Sequence, residues 1–386
     1  MPKPKVTVIL TSFNHAKYLR EAIDSVLHQT FQDYEFIIWD DASSDNSWEI
    51  IKSYSDPRIV PFRNETSQRG IFGINKSISE IAKGEYIAIH HSDDIWQPDK
   101  LEKQFDFLQE HSQYGAVFTN ALAIGEESKS LQQSDHHYTT VFTQPNRTRY
   151  EWLYHFFSEG NALCHPSVMI RKECYSRCGL YRYGFAQLAD FDMWVRLCMK
   201  YEIFVLPEKL IKFRVRDNEK NSSGNTSKNR ARISFEFYTI LKNYLNIDTY
   251  EEFTEVFELA KKYQDDEVFL KEFIYGMILL ESGILALAKL LGLELILEQL
   301  NNPSRAKLIK EKYDFDYLNL VELSAKHGVA NLSSRDEDAM RDDKQRLETE
   351  IDLCEGKINR LQDEIIQLKS SASWILTKPL RIFAKR

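Results

Sequence analysis

Tyr86-Ile-Ala-Ile-His-His-Ser-Asp-Asp94 is the stretch that decides the fold. It opens as a short apolar run and ends in two acids. A run of this length bounded by polar residues reads as a buried strand. Working outward, Val6-Thr-Val-Ile-Leu10, Glu35-Phe-Ile-Ile-Trp39, Ile59–Phe62 and Ala116–Ala123 read the same way. Between them lie stretches of helical character, over 17–29 (Tyr18, Ile23, Val26 and Leu27 at helical spacing), 71–82 and 98–109. Strands alternating with helices make βαβ units and a mostly parallel sheet. In such a sheet, ligands sit beyond the carboxyl ends of the strands. Asp40-Asp41 and Asp93-Asp94 both fall at such ends.

The composition narrows the function classes. The chain has 386 residues, 43% hydrophobic and 28% charged, which supports a sizeable core. Its formal net charge of -8 argues against a nucleic-acid partner. The five cysteines, at 164, 174, 178, 198 and 354, form no CxxC pair and read as reduced thiols. The apolar run at Val6 is too short for a signal peptide. Phe273–Leu297 is apolar but interrupted by Glu281, Lys289 and Glu294, so a buried helix is expected there and no membrane span. The expected location is cytoplasmic.

Four segments follow from these patterns. Residues 1–222 form an α/β domain. After the Asn- and Ser-rich stretch 218–229, residues 231–332 form a helical domain. Residues 336–370 carry Ile351, Ile358 and Ile365 seven apart, with Leu347, Cys354, Leu361 and Leu368 seven apart and offset by three. That heptad predicts a C-terminal coiled-coil helix and a homodimer through residues 340–370; a single amphipathic helix on the body is the alternative. Residues 371–386 mix Trp374, Ile375, Leu376 and Phe383 with Lys378, Arg381, Lys385 and Arg386. This basic amphipathic tail suits peripheral contact with an anionic membrane face, or docks on its own protein.

Two adjacent carboxylates at a strand end repel each other, and a cation removes that repulsion. Oxygen ligands suit Mg²⁺ or Mn²⁺. Asp93 and Asp94 are therefore candidate metal ligands. Asp41 is placed to accept a hydrogen bond from a nucleobase or a ribose hydroxyl. Helix N-capping is the plainer role open to each.

Taken as an ordered set, these segments resemble the family 2 glycosyltransferases. The pieces are Val6-Thr-Val-Ile-Leu-Thr-Ser-Phe-Asn14, then Glu35-Phe-Ile-Ile-Trp-Asp-Asp-Ala-Ser-Ser-Asp45, then Gly70, Asn75 and Gly84-Glu-Tyr-Ile87. Ser92-Asp-Asp-Ile-Trp-Gln-Pro-Asp-Lys-Leu101, His165-Pro-Ser-Val-Met-Ile-Arg171 and Ala189-Asp-Phe-Asp-Met-Trp-Val-Arg196 complete the set. The resemblance implies a Rossmann-like fold of the GT-A type over residues 5–220. It implies a metal-dependent, inverting hexosyl transfer from a nucleotide-sugar donor, UDP-linked, to a glycan or lipid-linked glycan acceptor in bacterial surface-polysaccharide assembly.

By the same resemblance, Thr11, Ser12, Phe13, Asn14, Asp41, Gly70, Asn75 and Asp93 line the nucleotide-sugar pocket. Asp93, Asp94 and His91 hold Mn²⁺ or Mg²⁺. Asp190 is the catalytic base, with Asp192 the runner-up. Two residues apart on a helix puts their side chains about 200° apart, so only one faces the site. His91 stands where the family often has Asp, and Ile74 where it often has Arg. Arg216 replaces a common His and is a candidate phosphate contact. No QxxRW segment of the processive synthases is present. A non-catalytic scaffold of the same fold, assembling partners through the coiled coil, and a nucleotidyltransferase are the alternatives. The second expects a Gly-rich basic loop after the first strand, where this chain has Thr-Ser-Phe-Asn.

Overall fold

The computed structural model describes residues 3–132, 137–216, 226–263, 268–282 and 286–326. Residues 1–320 form one compact unit and residues 321–386 a second. The heptad segment 336–370 and the tail 371–386 lie outside the described residues, and with them the expected dimer and membrane contacts.

Eight strands form one sheet: β1 (Val6–Ser12), β2 (Tyr34–Asp40), β3 (Ile59–Arg63), β4 (Tyr86–His91), β5 (Ile95–Trp96), β6 (Tyr114–Ile124), β7 (Met169–Arg171) and β8 (Glu202–Arg214). Their spatial order is β3-β2-β1-β4-β7-β6-β8-β5. The ladders β1–β2, β1–β4, β2–β3 and β6–β8 are parallel. The ladders β4–β7, β6–β7 and β5–β8 are antiparallel. The sheet is thus mixed but mostly parallel, as expected, with antiparallel pairing confined to the short ladders of β7 and β5. Short β7 wedges antiparallel between the two parallel halves.

The predicted strands form because their side chains are buried on both faces, the signature of a covered sheet. β2 is buried along its whole length, and in β1 Thr11 alone is partly open. The helix Ala16–Leu27 lays Leu19, Ala22, Ile23 and Val26 on that sheet. Its first amide, Ala16 N, donates to Asp45 at 2.9 Å, so the loop after β2 caps the helix after β1. The helix expected over 71–82 runs Gly70–Lys76 and then widens, with Ala82 N donating to Ser77 O at 2.7 Å. Such widened turns concentrate near functional sites.

Beyond β8 the described chain is helical, from Ser227–Leu241 to Tyr317–Lys326. Tyr244, Phe253, Phe257 and Tyr275 form its aromatic core, joined by Phe157 from the earlier helix Arg149–Ser158. The apolar stretch Phe273–Leu297 is two helices, Lys271–Glu281 and Ala286–Leu300, rather than one. Among the described residues no helix is long and apolar enough to cross a membrane. The four described cysteines are free thiols.

Candidate active site

Strand register brings the candidate residues together. Across the ladders, Ser12 faces Asp40 and Thr11 faces His91, so three adjacent strand ends share one rim. Thr11 also lies beside Gly70, where an added Cβ would sit 3.4 Å from the Thr11 hydroxyl. Ser12 O accepts from Asp41 N at 2.8 Å. Phe13 is 48% exposed at the loop crest, unusually open for its size. Asn14 has a left-handed backbone with φ 54°, which its short amide tolerates. Its backbone N donates to Ser43 Oγ at 2.9 Å, and its side-chain oxygen accepts from Ser44 N at 2.8 Å. This pair of bonds ties the β1 loop to the β2 loop.

Asp41 is buried and organises the loop 64–69. Its carboxylate accepts from Asn64 Nδ2 at 2.6 Å and from Ser67 Oγ, Gln68 N and Arg69 N, each at 2.7 Å. Four donors fill the acceptor capacity of a carboxylate. A base contact at Asp41 therefore requires one of them to give way. Arg69 carries φ 69° and ψ 155°, a region nearly exclusive to glycine, so this loop holds strain of about 1–3 kcal/mol. Asn75 is fully buried, and its amide exchanges two hydrogen bonds with the Tyr181 backbone, at 2.8 and 3.1 Å.

Beyond β4, one ligand atom from each of His91, Asp93 and Asp94 lies within 4.8 Å of the others. Asp94 is 1% exposed; its Oδ1 accepts from Arg214 N at 2.7 Å, while its Oδ2 has no hydrogen bond and sits 3.5 Å from His91 Nδ1. Burial raises the Asp93 carboxyl pKa, and the charge of Asp94 raises it further. A buried carboxylate oxygen left without a donor, beside a second acid held above its usual range, is an arrangement that a hard divalent cation relieves. The residues present therefore fit Mg²⁺ or Mn²⁺.

Burial opposes protonation of His91, but the charge of Asp94, with Asp93 and Asp190 behind, outweighs it and raises its pKa. A chain leads away from it. His91 Nε2 meets His165 Nδ1 at 3.2 Å, and His165 Nε2 meets the Tyr181 hydroxyl at 3.0 Å. Burial, with His91 beside it, drives the His165 pKa well below the usual value, so His165 is neutral and accepts from His91.

His15 stands on the other flank. Its Nε2 faces Arg216 Nη1 at 2.9 Å and its Nδ1 faces Ser92 Oγ at 2.7 Å. A guanidinium only donates, so Nε2 is bare and Nδ1 donates to Ser92. Arg216, read from the sequence as a phosphate contact, thus sits beside the acid pair.

Asp190 and Asp192 separate as helix geometry requires. Asp192 is fully buried, bonded to Arg196 Nε at 2.8 Å and Asn243 Nδ2 at 3.0 Å. Asp190 is half-buried; it accepts from Asn161 Nδ2 at 3.0 Å and from Phe191 N at 2.8 Å. Burial raises its pKa, and the nearby His91 charge pulls the other way. Asp190 and His91 are thus close enough for their charges to act on each other.

Four residues here were not singled out from sequence. Arg214, His15, Asn161 and Tyr181 sit in loops or at strand and helix ends, where periodicity carries no signal. His165 was visible only as the first residue of a quoted segment.

Residues 7–171 match the family model described as Glycosyl transferase family 2. The Bacillus subtilis protein EpsE, classed as a glycosyltransferase, is 31% identical over 217 residues, covering 55% of this chain and 73% of EpsE. The chain belongs to glycosyl transferase family 2. The Escherichia coli UDP-Glc:alpha-D-GlcNAc-diphosphoundecaprenol beta-1,3-glucosyltransferase WfaP is 26% identical over 197 residues, covering 50% of this chain and 70% of WfaP. Among solved structures, S. aureus TarS 1–349 in complex with UDP-GlcNAc superposes with a TM-score of 0.53 at 20% identity, covering 84% of this chain and 92% of that one. That likeness is one of fold: a GT-A-like α/β domain followed by a helical region. The protein is a nucleotide-sugar glycosyltransferase with relatives in bacterial surface-glycan assembly.

Proposed function

We propose that this chain moves a hexosyl unit, with inversion, from a UDP-sugar to a hydroxyl of a lipid-linked glycan in bacterial surface-polysaccharide assembly. The observation that carries the reading is the placement of Asp190 and the Asp93/Asp94 pair about His91. The acid pair lies against His91, and the His91 charge also bears on Asp190, a carboxylate whose pKa burial raises.

In this reading Thr11, Ser12, Phe13, Asn14, Gly70 and Asp93 wall the nucleotide, and Asp41 shapes the loop against its base. Asn75 supports the pocket through Tyr181. Asp93, Asp94 and His91 would hold a divalent cation, which would supply positive charge against the leaving diphosphate. Asp190 takes the proton from the acceptor hydroxyl. The freed oxygen bonds to the anomeric carbon as that carbon's bond to the diphosphate oxygen breaks, from the opposite face. Asn161 and Phe191 N hold the Asp190 carboxylate in register for that proton. Residues 1–222 act as the catalytic domain and 231–332 as the helical one. The UDP donor and the lipid-linked acceptor rest on WfaP, whose name specifies UDP-Glc and GlcNAc-diphosphoundecaprenol.

The test is Asp190→Asn. Removing a general base lowers rate by about 10²–10⁴-fold, while UDP-sugar binding, read by thermal shift with and without Mn²⁺, stays unchanged. Undiminished transfer by the variant would remove Asp190 from the mechanism.

A further inference from the structure

A cleft of about 280 Å³ opens between the loop 64–69 and the segment that leads into the Asp190 helix. That is near the lower end of small-molecule sites, about 300–1,000 Å³, with room for one pyranose unit. Its walls are the two segments that hold the proposed site's acids. On one side are Arg69, whose amide donates to Asp41 at 2.7 Å, and Phe72. On the other, Tyr183 lies seven residues before Asp190.

The second wall is rigidly built. Glu236 is 1% exposed and accepts from three successive amides, Ala186 N at 2.7 Å, Gln187 N at 2.9 Å and Leu188 N at 2.6 Å. Its negative charge is taken up by those donors. The remaining ionic groups lining the cleft are the guanidinium groups of Arg69 and Arg232, so the sign of the cleft is positive.

The rings decide what kind of ligand fits. Tyr183 is 62% exposed and Phe235 is 65% exposed, among the largest open aromatics of the described residues. Phe72 and Tyr183 stand with centroids 6.5 Å apart and planes tilted by 50°. Exposed aromatics grouped at a concave site mark a ligand surface more than a folding need. Aromatic faces suit the C–H face of a sugar ring, and planar guanidinium groups suit phosphate oxygens.

Resting on the function proposed above, we infer that this cleft is the acceptor site. It takes a saccharide joined to a diphosphate: Phe72, Tyr183 and Phe235 hold the ring, and Arg232 with Arg69 holds the diphosphate. The acceptor hydroxyl is thereby delivered toward Asp190 from the side of the helical region.

The experiment measures binding of three probes to the full chain: GlcNAc-diphosphoundecaprenol in detergent, diphosphoundecaprenol without sugar, and methyl α-GlcNAc without diphosphate. UDP-sugar binding with Mn²⁺ is measured in parallel. The variants are Tyr183→Ala with Phe235→Ala, and Arg232→Gln; the two rings are exposed and the chain folds without them. The double variant is expected to weaken the sugar-bearing lipid about 10-fold. It leaves the sugar-free lipid alone. Arg232→Gln weakens both lipids and leaves the glycoside alone. Equal affinity of wild type and variants for every probe overturns the assignment, as does a wild type that binds UDP-sugar but none of the probes. Failure of the function itself is distinguishable, because it appears as loss of UDP-sugar binding in the wild type.

Discussion

Arg214 holds the turn of Asp94 from behind: its backbone N donates to the Asp94 carboxylate at 2.7 Å. Its side chain reaches the Asp93 carbonyl at 2.7 Å, Gly125 O and Glu126 O each at 3.0 Å, and Glu21 Oε2 at 2.8 Å. The guanidinium is fully buried, with Tyr18 4.7 Å below it. Five donors in a rigid fork fix β8 to the acid-bearing turn after β4. Arg214→Lys keeps the charge and loses the fork. The expected result is a loss of about 2–3 kcal/mol in stability. The Mn²⁺ concentration for half-maximal transfer should rise roughly 10-fold or more, as for other residues that orient ligands from behind. A metal titration of activity checks it; an unchanged midpoint in a folded variant would show that Arg214 only stabilises.

The raised pKa of Asp190 predicts the acid side of the pH profile. A base works only when ionised, so activity is present above its pKa and lost as pH falls through it. Burial moves that loss above the ordinary aspartate value near ~3.9. The Asn161 hydrogen bond lowers the Asp190 pKa, so Asn161→Ala should move the acid limb further up. Profiles of kcat/KM against pH for both proteins test this by limb position alone. A limb that stays put or falls in N161A contradicts the coupling.

The parts of this molecule legible in the sequence were those written in short-range patterns. The apolar runs at 6–10, 35–39 and 86–90 became β1, β2 and β4 because a strand covered on both faces needs only an unbroken apolar run. The acid pairs at their ends were visible for the same reason. β7 and β8 were not expected as strands. β7 has three residues, and β8 carries Pro207, Glu208 and Lys209 in its middle, where its register with β6 shifts. Nothing local says that β7 pairs antiparallel between β4 and β6. The support for the site was hidden likewise. Arg214 and Asp94 are 120 residues apart, and their bond exists only because the sheet brings β8 beside β5. Asn75 is read as a pocket residue from its place in a motif; its amide pairs with the backbone of Tyr181, 106 residues on, a partner that no local pattern announces.

Gly84 marks a close approach that no other residue satisfies. A Cβ there would lie 2.5 Å from Thr7 N and 2.7 Å from Val6 C, both backbone atoms of a central strand. Its amide donates to Thr7 Oγ1 at 2.9 Å, and that hydroxyl donates to Glu35 at 2.7 Å. Gly84→Ala should force the chain off β1 and destabilise the fold by about 1–3 kcal/mol. Urea denaturation at pH 7 measures it, and a change under ~0.5 kcal/mol would mean that the turn yields without strain.

Lys100 offers a test in which the expected change is stabilising. Its side chain is fully buried, with Nζ 3.9 Å above the Trp96 ring and donating to Gln104 Oε1 at 2.7 Å. Desolvation drives its pKa well below the usual lysine value. The unfolded chain keeps the ordinary value near ~10.4 and so binds more protons than the folded chain between the two. Folding must release that proton, and stability rises with pH through this window until the unfolded lysine also deprotonates. Lys100→Met removes the linkage at the expense of one unpaired Gln104 oxygen, a loss of about 1 kcal/mol. The variant is expected to be more stable than wild type at pH 7, by about 1–2 kcal/mol. The advantage should shrink steadily between pH 7 and pH 10. Denaturation curves for both proteins across that range decide the matter, because a difference that does not vary with pH would mean that the buried amine keeps its proton.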